Sequence, residues 1–251
     1  MTDSPTPPGA PDAPAATTPV PTKMPIDVVS DVVCPWCFIG KRRLEKAIAA
    51  TAEIPVEVRW RTFFLNPWVP REGIARRQYL ETKFGSVERY MANAPRMVEA
   101  AEAEGLVYAI DKLVRQPNTI DCHRLIRWAN DAFGRAGQAR MKQRLMDLYF
   151  TEGADLSQRN VLVGAAPDIG LDPARVAARL ATDEDEAAVT EEAEAAQRAG
   201  VDGVPCFVFG GVLAVSGAQS VDYLAQAIRR AHEAFSRRLQ AGEIDPDRRP
   251  Y

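Results

Sequence analysis

The stretch VVSDVVCPWCFIGKRRL, residues 28–44, places two cysteines three positions apart between an apolar run and a basic run. The apolar part, PIDVVSDVV at 25–33, is rich in β-branched residues and predicts a strand. The residues after the first cysteine, PWCFIGKRRLEKAIAATA at 35–52, predict a helix, because apolar side chains recur at helical spacing and Pro35 suits the first turn. The cysteine pair is therefore expected at a strand-to-helix turn.

The rest of the chain continues with strand and helix patterns. IPVEVRWRTF at 54–63 alternates apolar and charged residues, as a half-buried strand does, and helical periods run from about residue 74 to 198 with breaks such as GRAG. Two apolar runs, CFVFG and VLAVSG, are then separated by Gly210-Gly211 and predict a hairpin. A last amphipathic helix follows, with Ser220 as its expected N-cap. Because an isolated hairpin is marginal in water, the helical block is better interpreted as an insertion into one mixed sheet than as a separate all-α domain.

Composition predicts a soluble globular protein. The 251 residues are 46% hydrophobic and carry a formal net charge of -3, so neither nucleic acid nor a membrane is an expected partner. The sequence contains no run of about 18 apolar residues, so no membrane span is expected. Residues 1–24 are rich in Pro, Ala and Thr and are expected to be disordered, and residues 243–251 are expected to be loose. The chain starts without a signal-peptide pattern, which makes the cytoplasm the expected location.

Three chemistries compete for the pair Cys34 and Cys37. A structural zinc site needs four ligands, and Cys122 and Cys206 offer no second pair at short spacing, so no metal is expected. A structural disulfide is disfavoured in a cytoplasmic protein. A thiol-disulfide reaction centre fits best, because Cys34 would lie at a helix N-terminus, where the helix dipole and free N–H groups stabilise the attacking thiolate. Cys37, one turn inside, could then resolve the mixed disulfide.

The segment GVDGVPCFVF places Pro205 at the start of a strand, where its missing N–H would ordinarily cost a ladder bond. A cis Val204–Pro205 bond in a functional turn would explain this position. A trans proline that opens an edge strand explains it equally well.

The motif CPWC after a strand, together with GVDGVPCFVF before a hairpin and a terminal helix, resembles the DsbA-related branch of the thioredoxin superfamily, and more narrowly the FrnE-like oxidoreductases. Supporting stretches are FFLNPWVPREG, PNTIDCHRLIRWA and VSGAQSVDYL, in the family's order. The resemblance covers nearly everything after residue 24. It implies an α/β, thioredoxin-like fold formed by 25–73 and 199–242, with an all-helical subdomain inserted at 74–198.

The resemblance also implies roles for individual residues. Cys34 becomes the nucleophile and Cys37 the resolving thiol, with Pro35 and Trp36 between them setting the redox poise. Pro205 becomes a cis-proline packed against the pair. The backbone of Val204 becomes the part that pairs with an extended substrate.

Other positions match motifs of the same family less specifically. Asn66 and Pro67 match an LNP turn, and Asn118, Thr119 and His123 match a helix start. His123 is expected either in the active-site cleft or as a hydrogen-bonded core histidine. Relatives that use glutathione imply possible substrate or glutathione binding near Ser216, Gly217, Ala218 and Gln219, where a helix begins. Asn66 and Asn118 are expected to take part in the same binding.

Several functions are compatible with these residues. Because both Cys34 and Cys37 are present, a protein thiol-disulfide oxidoreductase or isomerase is favoured, acting on protein or small-molecule thiols and disulfides. It is expected to hold no bound cofactor, with glutathione as a possible co-substrate. The alternatives are a glutathione-dependent isomerase or transferase, of the 2-hydroxychromene-2-carboxylate isomerase or kappa type, and a binding module or chaperone with vestigial cysteines. Cys122 and Cys206 are expected to be buried free thiols, with a second redox pair as the alternative.

Overall fold

The computed structural model describes residues 22–245. The expected disorder of the N-terminal tail therefore lies outside the described residues, except for residues 22–24, and so does most of the expected loose C-terminus. Met24 belongs to the fold, because it opens the first strand and is fully buried.

The described residues form strands and helices in the predicted order. The strands are β1 (Met24–Ser30), β2 (Val56–Thr62), β3 (Ile74–Ala75), β4 (Arg115–Gln116), β5 (Cys206–Phe209) and β6 (Leu213–Ser216). The helices are α1 (Pro35–Ala49), α2 (Arg76–Phe84), α3 (Val87–Met91), α4 (Ala94–Glu102), α5 (Ile120–Asp147), α6 (Arg159–Ile169), α7 (Pro173–Leu180), α8 (Glu186–Arg198) and α9 (Val221–Gln240). A 3₁₀ turn at Ile110–Lys112 and a π-helical turn at Leu148–Glu152 complete the set.

Four strands form one mixed sheet in the order β2-β1-β5-β6. β1 runs parallel to β2 and antiparallel to β5, and β6 returns antiparallel to β5. The predicted hairpin turn is confirmed at Gly210 and Gly211, whose φ angles of 58° and 68° lie in the left-handed region that glycine favours. The predicted cap is also confirmed, since the Ser220 hydroxyl accepts the Tyr223 N–H at 3.3 Å.

The alternation of side chains along β1 assigns each face of the sheet to its own layer. Ile26 and Val28 pack with α1 and α9 in one core. Val29 points to the opposite face, where it packs with Cys206 and with Ala196 of α8. The sheet is therefore covered on both faces. The first turn of α1 lies near the C-terminal end of β1.

The inserted block between β2 and β5 is mostly helical, as predicted, with two differences. Strands β3 and β4 form a two-stranded ribbon that the helical periods did not indicate, because two residues are too few to show a pattern. The expected break at GRAG is a kink inside the single long helix α5, where Gly134 has a φ of 63°. The block thus packs as one helical layer against β2, through α5 and α8.

A fully buried arginine, Arg124, connects α5 to the end of α7 and to the residues that follow it. The Arg124 guanidinium donates to the carbonyls of Arg179 and Thr182 at 2.9 and 2.8 Å and to the Glu184 carbonyl at 2.7 Å. It also pairs with the Asp121 carboxylate at 2.7 Å. The bonds to the Thr182 and Glu184 carbonyls satisfy backbone acceptors that follow α7, and the bond to the Arg179 carbonyl adds to those that Thr182 donates.

Candidate active site

Cys34 occupies the N-cap position of α1, with an extended backbone. Its carbonyl accepts the N–H groups of Cys37 and Phe38 at 3.0 and 3.1 Å, so the first helical turn closes directly on this residue. Pro35 follows at the first helical position, as predicted. Cys34 and Cys37 are both buried, one turn apart.

The loop before β5 lies against Cys34. The Cys34 Sγ is 3.5 Å from the Val204 carbonyl oxygen, to which the thiol donates, although 170 residues separate the two in sequence. The Val204–Pro205 bond is cis, in agreement with the resemblance. Gly40 of α1 passes so close to this proline that an added Cβ would lie 3.0 Å from the Pro205 Cγ. The fold therefore brings the CPWC turn and the Val204–Pro205 loop together.

Asp31, three residues before Cys34, connects the turn to the rest of the molecule. One carboxylate oxygen accepts the Val32 N–H at 2.7 Å and lies 3.2 Å from the His123 Nε2. The other accepts the Leu65 N–H at 2.8 Å and the Thr119 hydroxyl at 3.2 Å. This fully buried carboxylate thus ties the CPWC turn to the end of β2 and to the start of α5.

The sequence left open whether His123 lies in the active-site cleft or in the core, and the structure places it in the core. It is 3% exposed, contacts Asp31 through Nε2, and makes an edge-on contact with the Phe64 ring at 5.6 Å between centroids. Its place below the CPWC turn makes it a support for Asp31.

The predicted asparagines line a neighbouring pocket of about 240 Å³, together with Phe64, Pro67 and Thr119. Asn66 is buried, its Oδ1 accepts the Lys83 Nζ at 2.6 Å, and its amide nitrogen has no hydrogen-bond partner among the described residues. Asn118 is tied to the backbone, because its amide donates to the Val69 carbonyl at 2.8 Å and accepts the Ile120 N–H at 3.0 Å.

The segment Ser216–Gln219 runs beside the proline loop. The Gly217 N–H donates to the Pro205 carbonyl at 2.8 Å, and the Arg43 side chain of α1 donates to the Ala218 carbonyl at 2.7 Å. The Gln219 amide turns back to the Ser216 carbonyl at 2.8 Å. The structure thus places Gly217 and Ala218 beside the Val204–Pro205 loop and α1.

Trp36, between the two cysteines, is half-buried. The Arg96 guanidinium of α4 lies 5.8 Å from the centre of its ring, so the inserted block contributes a cation to the rim of the CPWC turn.

Burial sets the electrostatics beneath the turn. It raises the pKa of the Cys37 thiol well above its usual value, an effect strengthened by Cys34 and opposed by the Lys142 ammonium. Burial also lowers the pKa of Lys142 to about 8. Cys37 is thus held as a thiol at neutral pH, with an easily deprotonated lysine close to it.

The other two cysteines are buried free thiols in different hydrophobic clusters. Cys122 belongs to the core around the CPWC turn, whereas Cys206 packs with Val29 and Ala196 on the face covered by α8. Burial raises the pKa of both thiols.

Sequence reasoning missed Asp31 and Lys142 as parts of the site. For Asp31 a signal existed, since a carboxylate inside the apolar run before CPWC must find donors when it is buried. Lys142 gave none, because its place under the pair depends on how α5 packs.

Between residues 22 and 245, no three His, Cys, Asp or Glu side chains form a group that could hold a metal ion. No helix in that part of the chain has the length and apolar character that crossing a membrane requires.

The fold and the CPWC turn together define a thioredoxin-fold protein with a dithiol at the start of its first helix. Residues 25–229 match the DSBA-like thioredoxin domain, and the chain belongs to that family.

Individual relatives agree with this assignment. A probable DsbA oxidoreductase from Streptomyces coelicolor is 32% identical, with a TM-score of 0.76 over 83% of this chain and 89% of that chain. The uncharacterised Bacillus subtilis protein YwbO is 26% identical over 204 residues, which are 81% of this chain and 94% of that protein. The cytosolic disulfide reductase DsbM from Pseudomonas aeruginosa, solved with GSH, shares the fold at 18% identity, with a TM-score of 0.54 over 86% of this chain and 99% of that chain.

Proposed function

We propose that this protein is a thiol-disulfide oxidoreductase in which Cys34 attacks and Cys37 resolves. The observation that carries the proposal is the placement of Cys34 at the first turn of α1, with its sulfur 3.5 Å from the Val204 carbonyl and Cys37 buried one turn deeper. Membership of the DSBA-like family supports the same chemistry.

In the first step the Cys34 thiolate attacks one sulfur of a substrate disulfide. A bond forms between Cys34 and that sulfur, the substrate S–S bond breaks, and the second substrate sulfur leaves as a thiolate. The N-terminus of α1 favours this step, because the helix dipole stabilises negative charge on Cys34.

In the second step Cys37 loses its proton and attacks Cys34. The Cys34–Cys37 bond forms, the mixed disulfide breaks, and the substrate leaves as a reduced thiol while the enzyme becomes oxidised by two electrons. Burial keeps Cys37 protonated until this moment, so it competes little with Cys34 in the first step.

The substrates are disulfides of proteins or of small molecules. An extended peptide is expected to align with the backbone of Val204, which is half-buried in the loop beside Cys34. A cytoplasmic location, expected from the sequence, belongs to the same proposal, and fractionation of cells that express the protein tests it.

Glutathione is the second candidate, as reductant or co-substrate. The segment around Gly217 is bonded to the Pro205 carbonyl and therefore lies beside the site, before the N-terminus of α9. One fold relative is a disulfide reductase solved with GSH. Glutathione that reduces the oxidised protein much faster than cysteine of equal concentration would support this candidate, and equal rates would exclude a dedicated site.

The test of the main proposal combines insulin reduction, refolding of scrambled ribonuclease, and equilibration with a thiol buffer to measure the reduction potential. Cys34→Ser should abolish exchange. Cys37→Ser should complete the first step only and accumulate a mixed disulfide, detectable by mass. Cys122→Ala, which changes a buried thiol outside the pair, serves as the matched control and should retain activity. The absence of a reversible two-electron couple in the wild-type protein would favour a binding module instead.

A further inference from the structure

Lys142 of α5 is a buried lysine beside the CPWC turn. It is 1% exposed, and within residues 22–245 its Nζ makes no hydrogen bond and no ion pair. Its Nζ lies over the face of the Trp60 ring, 5.2 Å from the ring centre. A buried ammonium without a hydrogen-bonded counter-charge costs stability, so a structural role does not explain its presence.

Lys142 lies near the face of α1 that carries the resolving cysteine, and Cys37 contributes to the electrostatic field at its ammonium. Cys37 and Lys41 are one helical turn apart and share a face of α1. The Lys41 Nζ lies 5.8 Å from the centre of the same Trp60 ring, so that face of α1 and Lys142 meet around one indole. Lys41 is neutralised by Glu45, four residues on, whereas Lys142 has no such partner.

A polar cavity of about 230 Å³ continues from Lys142 towards the surface. Its lining includes Trp60, His123 and Gln138, and more exposed residues such as Asp131. The Trp60 indole N–H is buried and has no partner among the described residues. A cavity of this size with polar walls has room for several water molecules, which could satisfy such donors.

We propose that Lys142 exchanges the proton of Cys37 during disulfide exchange, and that the cavity conducts this proton to and from solvent. The proposal rests on the oxidoreductase function above. In the resolving step the neutral Lys142 amine takes the Cys37 proton, the Cys37 thiolate forms the bond to Cys34, and the substrate thiolate leaves. The resulting ammonium returns its proton to water in the cavity. In the reverse step the ammonium protonates Cys37 as that sulfur leaves the Cys34–Cys37 disulfide.

Asp31 and His123 are less suited to this task. The Asp31 carboxylate already has four hydrogen-bond partners, two of them backbone N–H groups that would lose an acceptor if it were protonated. His123 is engaged with Asp31. Lys142, in contrast, is buried and makes no hydrogen bond or ion pair within residues 22–245.

Other charged and titratable groups contribute to the field at Lys142. The groups on the nearest elements are Asp31 before α1, Cys34, Cys37 and Lys41 at or in α1, and His123 on α5. The charged residues that line the cavity are Arg59 and Arg61 of β2, Arg127, Asp131 and Arg135 of α5, and Glu192 of α8. Arg61 and Glu192 pair with each other at 3.5 Å. The cysteines and Asp31 favour the ammonium, and Lys41 opposes it.

The test follows the two steps separately in Lys142→Met and Lys142→Arg. Alkylation of Cys34 reports the first step, and release of a small aromatic thiol from a preformed Cys34 mixed disulfide reports resolution. At about pH 7, resolution should slow about a hundredfold in both variants, the lower end of what a positioned base contributes, while alkylation stays unchanged. Lys112→Met, which changes an exposed lysine in the 3₁₀ turn of the inserted block, is the matched control and should resolve at the wild-type rate.

The pH profile separates proton exchange from a simple charge effect. In the wild type, resolution should rise with pH and level near the Lys142 pKa of about 8. In Lys142→Met it should keep rising, because hydroxide must then remove the proton. A normal rate in Lys142→Arg would show that only the charge matters and would overturn the proposal, as would normal resolution in Lys142→Met. A wild-type protein that forms no Cys34 mixed disulfide would instead refute the oxidoreductase function itself.

Discussion

Replacing Asp31 with alanine should destabilise the protein more than any other single change near the CPWC turn. The carboxylate is the acceptor for two buried or part-buried backbone N–H groups, those of Val32 and Leu65, at 2.7 and 2.8 Å. It also holds the side chains of Thr119 and His123. Asp31→Ala leaves both backbone donors without an acceptor, at about 1–3 kcal/mol each. The expected loss in the free energy of unfolding is therefore about 3–5 kcal/mol.

Asparagine at the same position should cost less. A carboxamide keeps one acceptor oxygen and presents an NH₂ group to the donors on the other side, so one backbone N–H loses its partner. The expected loss for Asp31→Asn is about 1–2 kcal/mol. This ordering distinguishes a hydrogen-bonding role from a simple packing role.

Urea denaturation of the reduced proteins, followed by tryptophan fluorescence, measures these losses. Asp222→Ala is the control, since Asp222 is exposed on the first turn of α9 and should change stability by less than about 1 kcal/mol. The Asp31 variants should also lose the alignment of Cys34 with Val204, because the carboxylate no longer holds the turn in which the Asp31 carbonyl accepts the Cys34 N–H at 3.4 Å. If Asp31→Ala lost less than about 1 kcal/mol, or if both variants lost the same amount, the reasoning from unpaired donors would be wrong.

Three further predictions concern the rest of the molecule. Arg124→Met leaves the Thr182 and Glu184 carbonyls without a donor, whereas the Arg179 carbonyl and the Asp121 carboxylate keep Thr182 and Arg71 as partners. It should cost about 2–5 kcal/mol in urea denaturation, and a loss near zero would contradict the role given to this arginine. Lys142→Met should raise the free energy of unfolding at neutral pH. The folded chain holds the Lys142 pKa at about 8, below the usual 10.5, so between pH 8 and 10.5 the folded chain binds fewer protons than the unfolded chain. The stability gained by the Lys142→Met variant should therefore shrink as pH rises through that window. A pH-independent difference in the free energy of unfolding would refute this account. Mild oxidation should consume two thiols, those of the CPWC pair, and peptide mapping should find Cys122 and Cys206 free; a disulfide between these two in the map would establish a second redox pair.

The sequence by itself determined the features that depend on neighbours along the chain. The strand before CPWC and the helix after it follow from side-chain periodicity, and the turn at Gly210 and Gly211 follows from the freedom of glycine at positive φ. The Ser220 cap follows from the same local chemistry. These features, together with the motif around Pro205, were enough to predict the thioredoxin-like sheet and the helical insertion.

Only the tertiary structure decided which distant groups meet beneath the cysteines. His123 is 92 residues from the Asp31 carboxylate it contacts, and Val204 is 170 residues from the thiol that donates to it. The burial of Lys142 depends on how α5 packs against β2, and the β3–β4 ribbon depends on a pairing across the insert. Sequence periodicity reports which face of an element is apolar, but the free energy of a buried charge depends on groups that the folded chain brings to it from other elements.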